Sequence, residues 1–78
     1  MKVQMKLLVT YRVYLPPECK GSTHTLDVPE DETAVSLLSR FNVPVAESVV
    51  IVNGRTPDKG ELLQEGDVVC AFPISAGG

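Results

Sequence analysis

Between Lys2 and Leu15 the chain alternates with a period of two, and this pattern constrains the fold more than any other stretch. Val3, Met5, Leu7, Val9, Tyr11 and Val13 share one parity, while Lys2, Gln4, Lys6, Thr10 and Arg12 hold the other. Successive strand side chains point to opposite faces, so the alternation predicts a long, half-buried strand with one face on a core. Leu8 and Tyr14 interrupt the polar parity, which makes the second face partly apolar. Pro16-Pro17 stops the strand, and Cys19-Lys20-Gly21-Ser22 reads as turn. Thr23–Val28 is a second strand, so residues 2–28 predict a hairpin with an irregular connection.

Pro29-Glu30-Asp31-Glu32-Thr33 then reads as a helix start, with Asp31 or Thr33 as cap and acids at the positive helix end. Ala34, Leu37, Leu38 and Phe41 give the i, i+3, i+4, i+7 spacing of a short amphipathic helix that ends before Pro44. Ser48–Val52 is apolar on both faces, as for a strand covered by the helix or lying centrally. Asn53-Gly54 predicts a tight hairpin turn, with a short return strand at Arg55-Thr56 halted by Pro57. Lys59–Leu63 reads as one helical turn whose leucines plug an edge of the core. Glu65-Gly66-Asp67 turns the chain into a last strand, Val68–Pro73. Helix segregated from strands is an α+β pattern, with the first and last strands at the sheet centre gripping one helix on a single face.

Seventy-eight residues make one small domain that buries ~60% of its unfolded surface, too little for a deep substrate pocket. No apolar run approaches the ~20 residues of a membrane span, and the first residues lack a signal peptide's apolar core, so the expectation is cytoplasmic. A net charge of −3 with scattered lysines and arginines argues against nucleic acid. Two cysteines are too few for a disulfide framework: Cys70 is a packing residue in a strand, and Cys19 an incidental thiol in a polar loop.

No catalytic constellation emerges. His24 and Asp27 are three apart in a strand and so lie on opposite faces, which rules out a base and its orienter. Cys19, His24 and a distant Cys70 do not make a zinc site. The acidic run Glu30–Glu32 is explained by the helix start, and Asn53-Gly54-Arg55 lacks the glycines and lysine of a phosphate loop.

What remains is the end of the sequence, Ala76-Gly77-Gly78. Glycines without Cβ can slide between close walls, and Pro73 ends sheet pairing and directs the following residues outward. Ile74–Gly78 then extends ~16 Å, enough to deliver a carboxylate into another protein's active site. A carboxylate is a poor electrophile until it becomes an acyl-adenylate, after which a sulfur donor can make an acyl-sulfur product. In the last strand Val68, Cys70 and Phe72 share one face and Val69 and Ala71 the other. One face can fill the core while the other, with Leu8, offers an apolar patch to a partner.

The order of elements, together with Gly66-Asp67, an apolar strand, Phe72-Pro73 and Ala76-Gly77-Gly78, resembles the ThiS/MoaD family of ubiquitin-like sulfur carrier proteins over essentially the whole chain. Val52-Asn53-Gly54-Arg55 is a second, weaker match. The resemblance implies a β-grasp (ubiquitin-like) fold, a mixed sheet of four to five strands gripping one helix in a domain of residues 1–73, followed by a tail, 74–78. It implies that the chain is a protein co-substrate, not an enzyme, and binds no cofactor. A partner adenylyltransferase of the ubiquitin-activating type uses ATP to adenylate Gly78, sulfur transfer gives a Gly78 thiocarboxylate, and a sulfur-accepting synthase subunit consumes it. Leu8, Val68, Cys70, Phe72 and Pro73, with Ile74, Ser75, Ala76 and Gly77 of the tail, are the implied partner-binding residues. Phe72-Pro73 looks more like the molybdopterin synthase small subunit than the thiamine carrier, although Ile74 and Ser75 replace the Pro and Val common in that branch. Molybdopterin synthesis is therefore the first expectation. Thiamine synthesis, a modifier forming lysine isopeptides, and an interaction module with inert glycines are the alternatives.

Overall fold

The computed structural model describes residues 1–19 and 21–74. Four strands form one sheet: β1, Lys2–Leu7; β2, Thr23–Asp27; β3, Ser48–Val52; and β4, Val68–Pro73. Their order is β2-β1-β4-β3, with β1 antiparallel to β2, parallel to β4, and β4 antiparallel to β3. The first and last strands thus occupy the centre, as the sequence predicts. Among the described residues the single α-helix, α1 (Ala34–Arg40), packs on one face. This is the β-grasp arrangement.

Strand parity decides which face is which. Val3, Met5 and Leu7 of β1 and Val69 and Ala71 of β4 are buried and meet Ala34, Leu37 and Leu38 of the helix in one core. Burying each of the larger side chains is worth about 1.5–3 kcal/mol. Val28, Val43, Val52 and Leu63 close the margins. Thr33 caps the helix reciprocally with Ser36: the Ser36 amide donates to Thr33 Oγ1 at 3.1 Å and the Thr33 amide donates to Ser36 Oγ at 2.9 Å. Glu30 and Asp31 are exposed, whereas Glu32 turns inward and takes a hydrogen bond from Arg40 at 2.8 Å.

Several expectations are corrected. The first strand stops at Leu7, and Val9–Tyr14 is a 3₁₀ segment. At three residues per turn, Leu8, Tyr11 and Tyr14 fall on one side, and the two tyrosine rings meet edge to face with centroids 5.5 Å apart. Only Tyr11 is buried, while Val9 and Val13 point to solvent. The residues that interrupt the strand pattern are thus the ones that follow the 3₁₀ spacing. Of the two alternatives for β3, the central position is excluded: it is an edge strand, with Val52 in the core beneath the helix and Val50 packed against it. Asn53 and Gly54 form the expected turn, with φ of 52° and 84°, but the return is a single bridge from Val52 to Arg55. Residues 59–63 form no helix: Gly60 turns the chain at φ 77°, Leu62 is exposed, and Leu63 alone enters the core.

Candidate functional site

Because α1 covers the inner face, β4 presents its other parity outward from the middle of the sheet. Val68, Cys70 and Phe72 are half-buried there. Register adds their neighbours: Phe72 pairs with Val49 and Cys70 with Ile51 on β3, while Lys6 and Gln4 of β1 stand beside Cys70 and Val68. Leu8 lies one residue past β1. Its backbone stays extended (φ −108°, ψ 164°), so it keeps the outward parity of Lys6, and its amide donates to the Ala71 carbonyl at 3.1 Å. The outer face is therefore divided. Leu8, Val49, Ile51, Val68, Cys70 and Phe72 form an apolar half, and Lys2, Gln4, Lys6, Thr25 and Asp27 a polar one.

The strand then hands over to the tail at a braced point. Pro73 is the last residue of β4 and is half-buried; Ile74 is exposed, but its amide donates to the Glu47 carbonyl at 3.0 Å. Glu47 belongs to a 3₁₀ turn, Val45–Glu47, held from beneath by Tyr11 and Ser48. Ser48 Oγ donates to the Pro44 carbonyl at 2.8 Å. The Tyr11 hydroxyl lies 2.8 Å from Ser48 Oγ, within hydrogen-bond reach, and also 3.5 Å from the Glu47 carbonyl, to which it can donate. A shallow groove of about 430 Å³ runs beside this root, between Tyr11, Pro44, Ala46, Glu47, Pro73 and Ile74.

Of the residues assigned from the sequence, Leu8, Val68, Cys70, Phe72, Pro73 and Ile74 come together along one path, from the sheet's outer face to the start of the tail. Ser75, Ala76, Gly77 and Gly78 lie outside the described residues. Val49 and Ile51 were not among the assigned residues, though the two-faced apolarity of Ser48–Val52 was their signal. Tyr11, Ser48 and Glu47 carried no local signal, because only the fold brings them to the tail root.

The chemistry elsewhere is sparse. His24 and Asp27 lie on opposite faces of β2, as their spacing requires. Among the described residues no three His, Cys, Asp or Glu side chains gather as metal ligands, and no helix is long and apolar enough to cross a membrane. The Glu61 carboxyl is held below its ordinary value by hydrogen bonds from the Arg55 guanidinium and then the Asp58 amide, and the Arg55 guanidinium is raised in turn. Glu61 borders a groove of about 560 Å³ between α1, β3 and residues 56–61, which has no histidine or cysteine in its walls.

No family model and no curated protein sequence matches the chain. Solved structures do resemble it. A protein of Pyrococcus furiosus described as molybdopterin converting factor, subunit 1, aligns over 95% of this chain and 98% of its own, at 22% identity and a TM-score of 0.73. SAMP1 of Haloferax volcanii aligns over the whole of both chains at 20% identity and a TM-score of 0.72. The Haloferax volcanii protein HVO 2177, solved in solution, covers all of this chain with 87% of its own, at 23% identity and a TM-score of 0.69. At these identities the likeness is one of fold: the chain has the ubiquitin-like β-grasp fold that these three proteins share.

Proposed function

We propose that the chain is a cytoplasmic sulfur carrier, not itself an enzyme, with a β-grasp domain of residues 1–73 that presents the tail 74–78 to two partners. The observation that carries this reading is the course of β4. The strand lies at the sheet centre, shows Val68, Cys70 and Phe72 on the uncovered face, and leads directly to the braced Ile74. The sequence continues from there as Ser75-Ala76-Gly77-Gly78. A partner seated on the apolar half-face would receive that tail at a fixed angle.

In the first step a Gly78 carboxylate oxygen attacks the α-phosphorus of ATP in the adenylyltransferase, and pyrophosphate leaves. A persulfide sulfur then attacks the acyl-adenylate carbonyl and displaces AMP. Reduction of the resulting acyl disulfide by a thiol leaves the Gly78 thiocarboxylate. The synthase subunit that accepts the sulfur belongs, on this reading, to molybdopterin synthesis, with thiamine synthesis next; the fold shared with the Pyrococcus furiosus converting factor supports that order. The same activated carboxylate could instead acylate lysine amines, as a ubiquitin-like modifier does, and a Gly78–lysine isopeptide would identify that outcome.

The test is ATP–pyrophosphate exchange by a ubiquitin-activating-type enzyme from the same genome. Exchange should depend on a chain ending at Gly78. Phe72→Arg, which puts a charge on the half-buried apolar face, should raise the KM for the carrier ~10-fold or more, as loss of a central aromatic anchor does. Exchange that persists unchanged when Gly77 and Gly78 are deleted would reject the proposal.

A further inference from the structure

The loop that leads into β2 holds a thiol and an imidazole in contact. Cys19 Sγ lies 3.1 Å from Nδ1 of His24, the chain's one histidine. Each side is fixed by its own element. The Cys19 amide donates to the Pro16 carbonyl at 3.0 Å, closing a turn over Pro17-Glu18. His24 pairs with Met5 in the sheet, and its ring stands edge to face with Phe41 at the helix end, centroids 5.8 Å apart. Both Cys19 and His24 are half-buried, so neither residue is sealed from solvent, and the ring stays packed on Phe41.

The contact brings together a nucleophile and a base. A resident metal would need further ligands, and no group of three His, Cys, Asp or Glu exists among the described residues. Cys70 is an internal reference: burial pushes its thiol up, nearby Lys6 offsets this only in part, and the chain has no second imidazole to assist it.

We propose that Cys19 and His24 form a thiol-exchange site that takes small disulfides. His24 Nδ1 accepts the Cys19 proton as Sγ attacks one sulfur of the disulfide. The Cys19 S–H bond and the disulfide S–S bond break, and a new Sγ–S bond forms. The departing thiolate recovers the proton from the imidazolium. Cys19 is oxidised to a mixed disulfide and the leaving sulfur is reduced to a thiol, so no further oxidant is required. Gly78 takes no part, and the site does not depend on the carrier reading.

The test uses the full chain and excess hydroxyethyl disulfide, an uncharged probe, with acid quenching and peptide mass spectrometry at each cysteine. Cys19 should be captured at least ~10-fold faster than Cys70, and at least ~10-fold faster than Cys19 of the urea-unfolded chain, a threshold set below the ~10²–10⁴-fold that a positioned base typically contributes. His24→Phe keeps an aromatic ring against Phe41 and removes the base; it should slow Cys19 by a similar factor and leave Cys70 unchanged. His24→Gln, polar but not basic, should behave like His24→Phe. Wild-type rates at Cys19 in both variants would overturn the proposal. So would a folded chain whose Cys19 reacts no faster than the unfolded one, a comparison that needs no variant.

Discussion

Glu32 carries a carboxylate into the edge of the core with one of its two oxygens hydrogen-bonded. Oε1 takes a hydrogen bond from Arg40 at 2.8 Å, and Oε2 is buried with no partner among the described residues. Arg40 itself is half in solvent, so the pair is intermediate between a surface bridge and a buried one. Its value lies less in attraction than in what its loss would expose. Arg40→Ala should cost about 1–3 kcal/mol in urea unfolding, the penalty of leaving a buried charged acceptor unanswered. Adding Glu32→Gln should recover part of that loss, and no recovery would show that Arg40 acts through packing. Glu61 offers a second test. Arg55 and the Asp58 amide stabilise its ionised form and depress its folded pKa. The stability this contributes is present above the unfolded pKa and is lost as pH falls through the lower, folded value. A carbon-13 titration should therefore show Glu61 ionising below the ordinary glutamate value. Arg55→Ala should return it toward the ordinary range, and an unchanged midpoint would contradict the assignment.

At the scale of elements, the break after β1 is where sequence and structure part. Val3, Met5 and Leu7 are buried as their parity predicts, and so are Val69 and Ala71, because each of those segments is flanked by pairing strands. Val9 and Val13 keep the same parity but are exposed. The competing spacing of Leu8, Tyr11 and Tyr14 prevails, since it lets Tyr11 reach the core and Ser48 at once. Val9 enters that segment at φ 57°, a region that strains a β-branched residue by about 1–3 kcal/mol. Val9→Gly should therefore stabilise the chain by about 1 kcal/mol, read as a higher urea midpoint, even though a side chain is deleted; a lower midpoint would show that the conformation is not strained. The edge position of β3 was not legible, because strand order is set by non-local pairing and an apolar segment reads alike at centre or edge. For the same reason the outward row of Phe72 and Cys70 is readable from β4 alone, whereas the apolarity of Val49 and Ile51 is visible in the sequence but their place beside that row is not. The approach of Cys19 to His24 likewise depends on the turn at Pro16–Cys19 and on Phe41 across the core.

For the whole molecule, one side of the sheet is spent on the core and the other is left as a surface divided between apolar and polar halves. The central strand that builds this surface also carries the chain toward Gly78. On the proposed function this small domain is handed between partners. On that reading the handed group is sulfur at Gly78. The most direct test is incubation of a chain ending at Gly78 with ATP, the adenylyltransferase and a persulfide donor, followed by a thioacid-selective reagent and peptide mapping. Selective labelling is needed because replacing oxygen by sulfur nearly matches the mass of one oxidation at Met1, Met5 or a cysteine. The label should appear on the C-terminal peptide, depend on ATP and disappear when Gly78 is deleted. An unlabelled C-terminal peptide, with an enzyme active on another carrier, would contradict that reading.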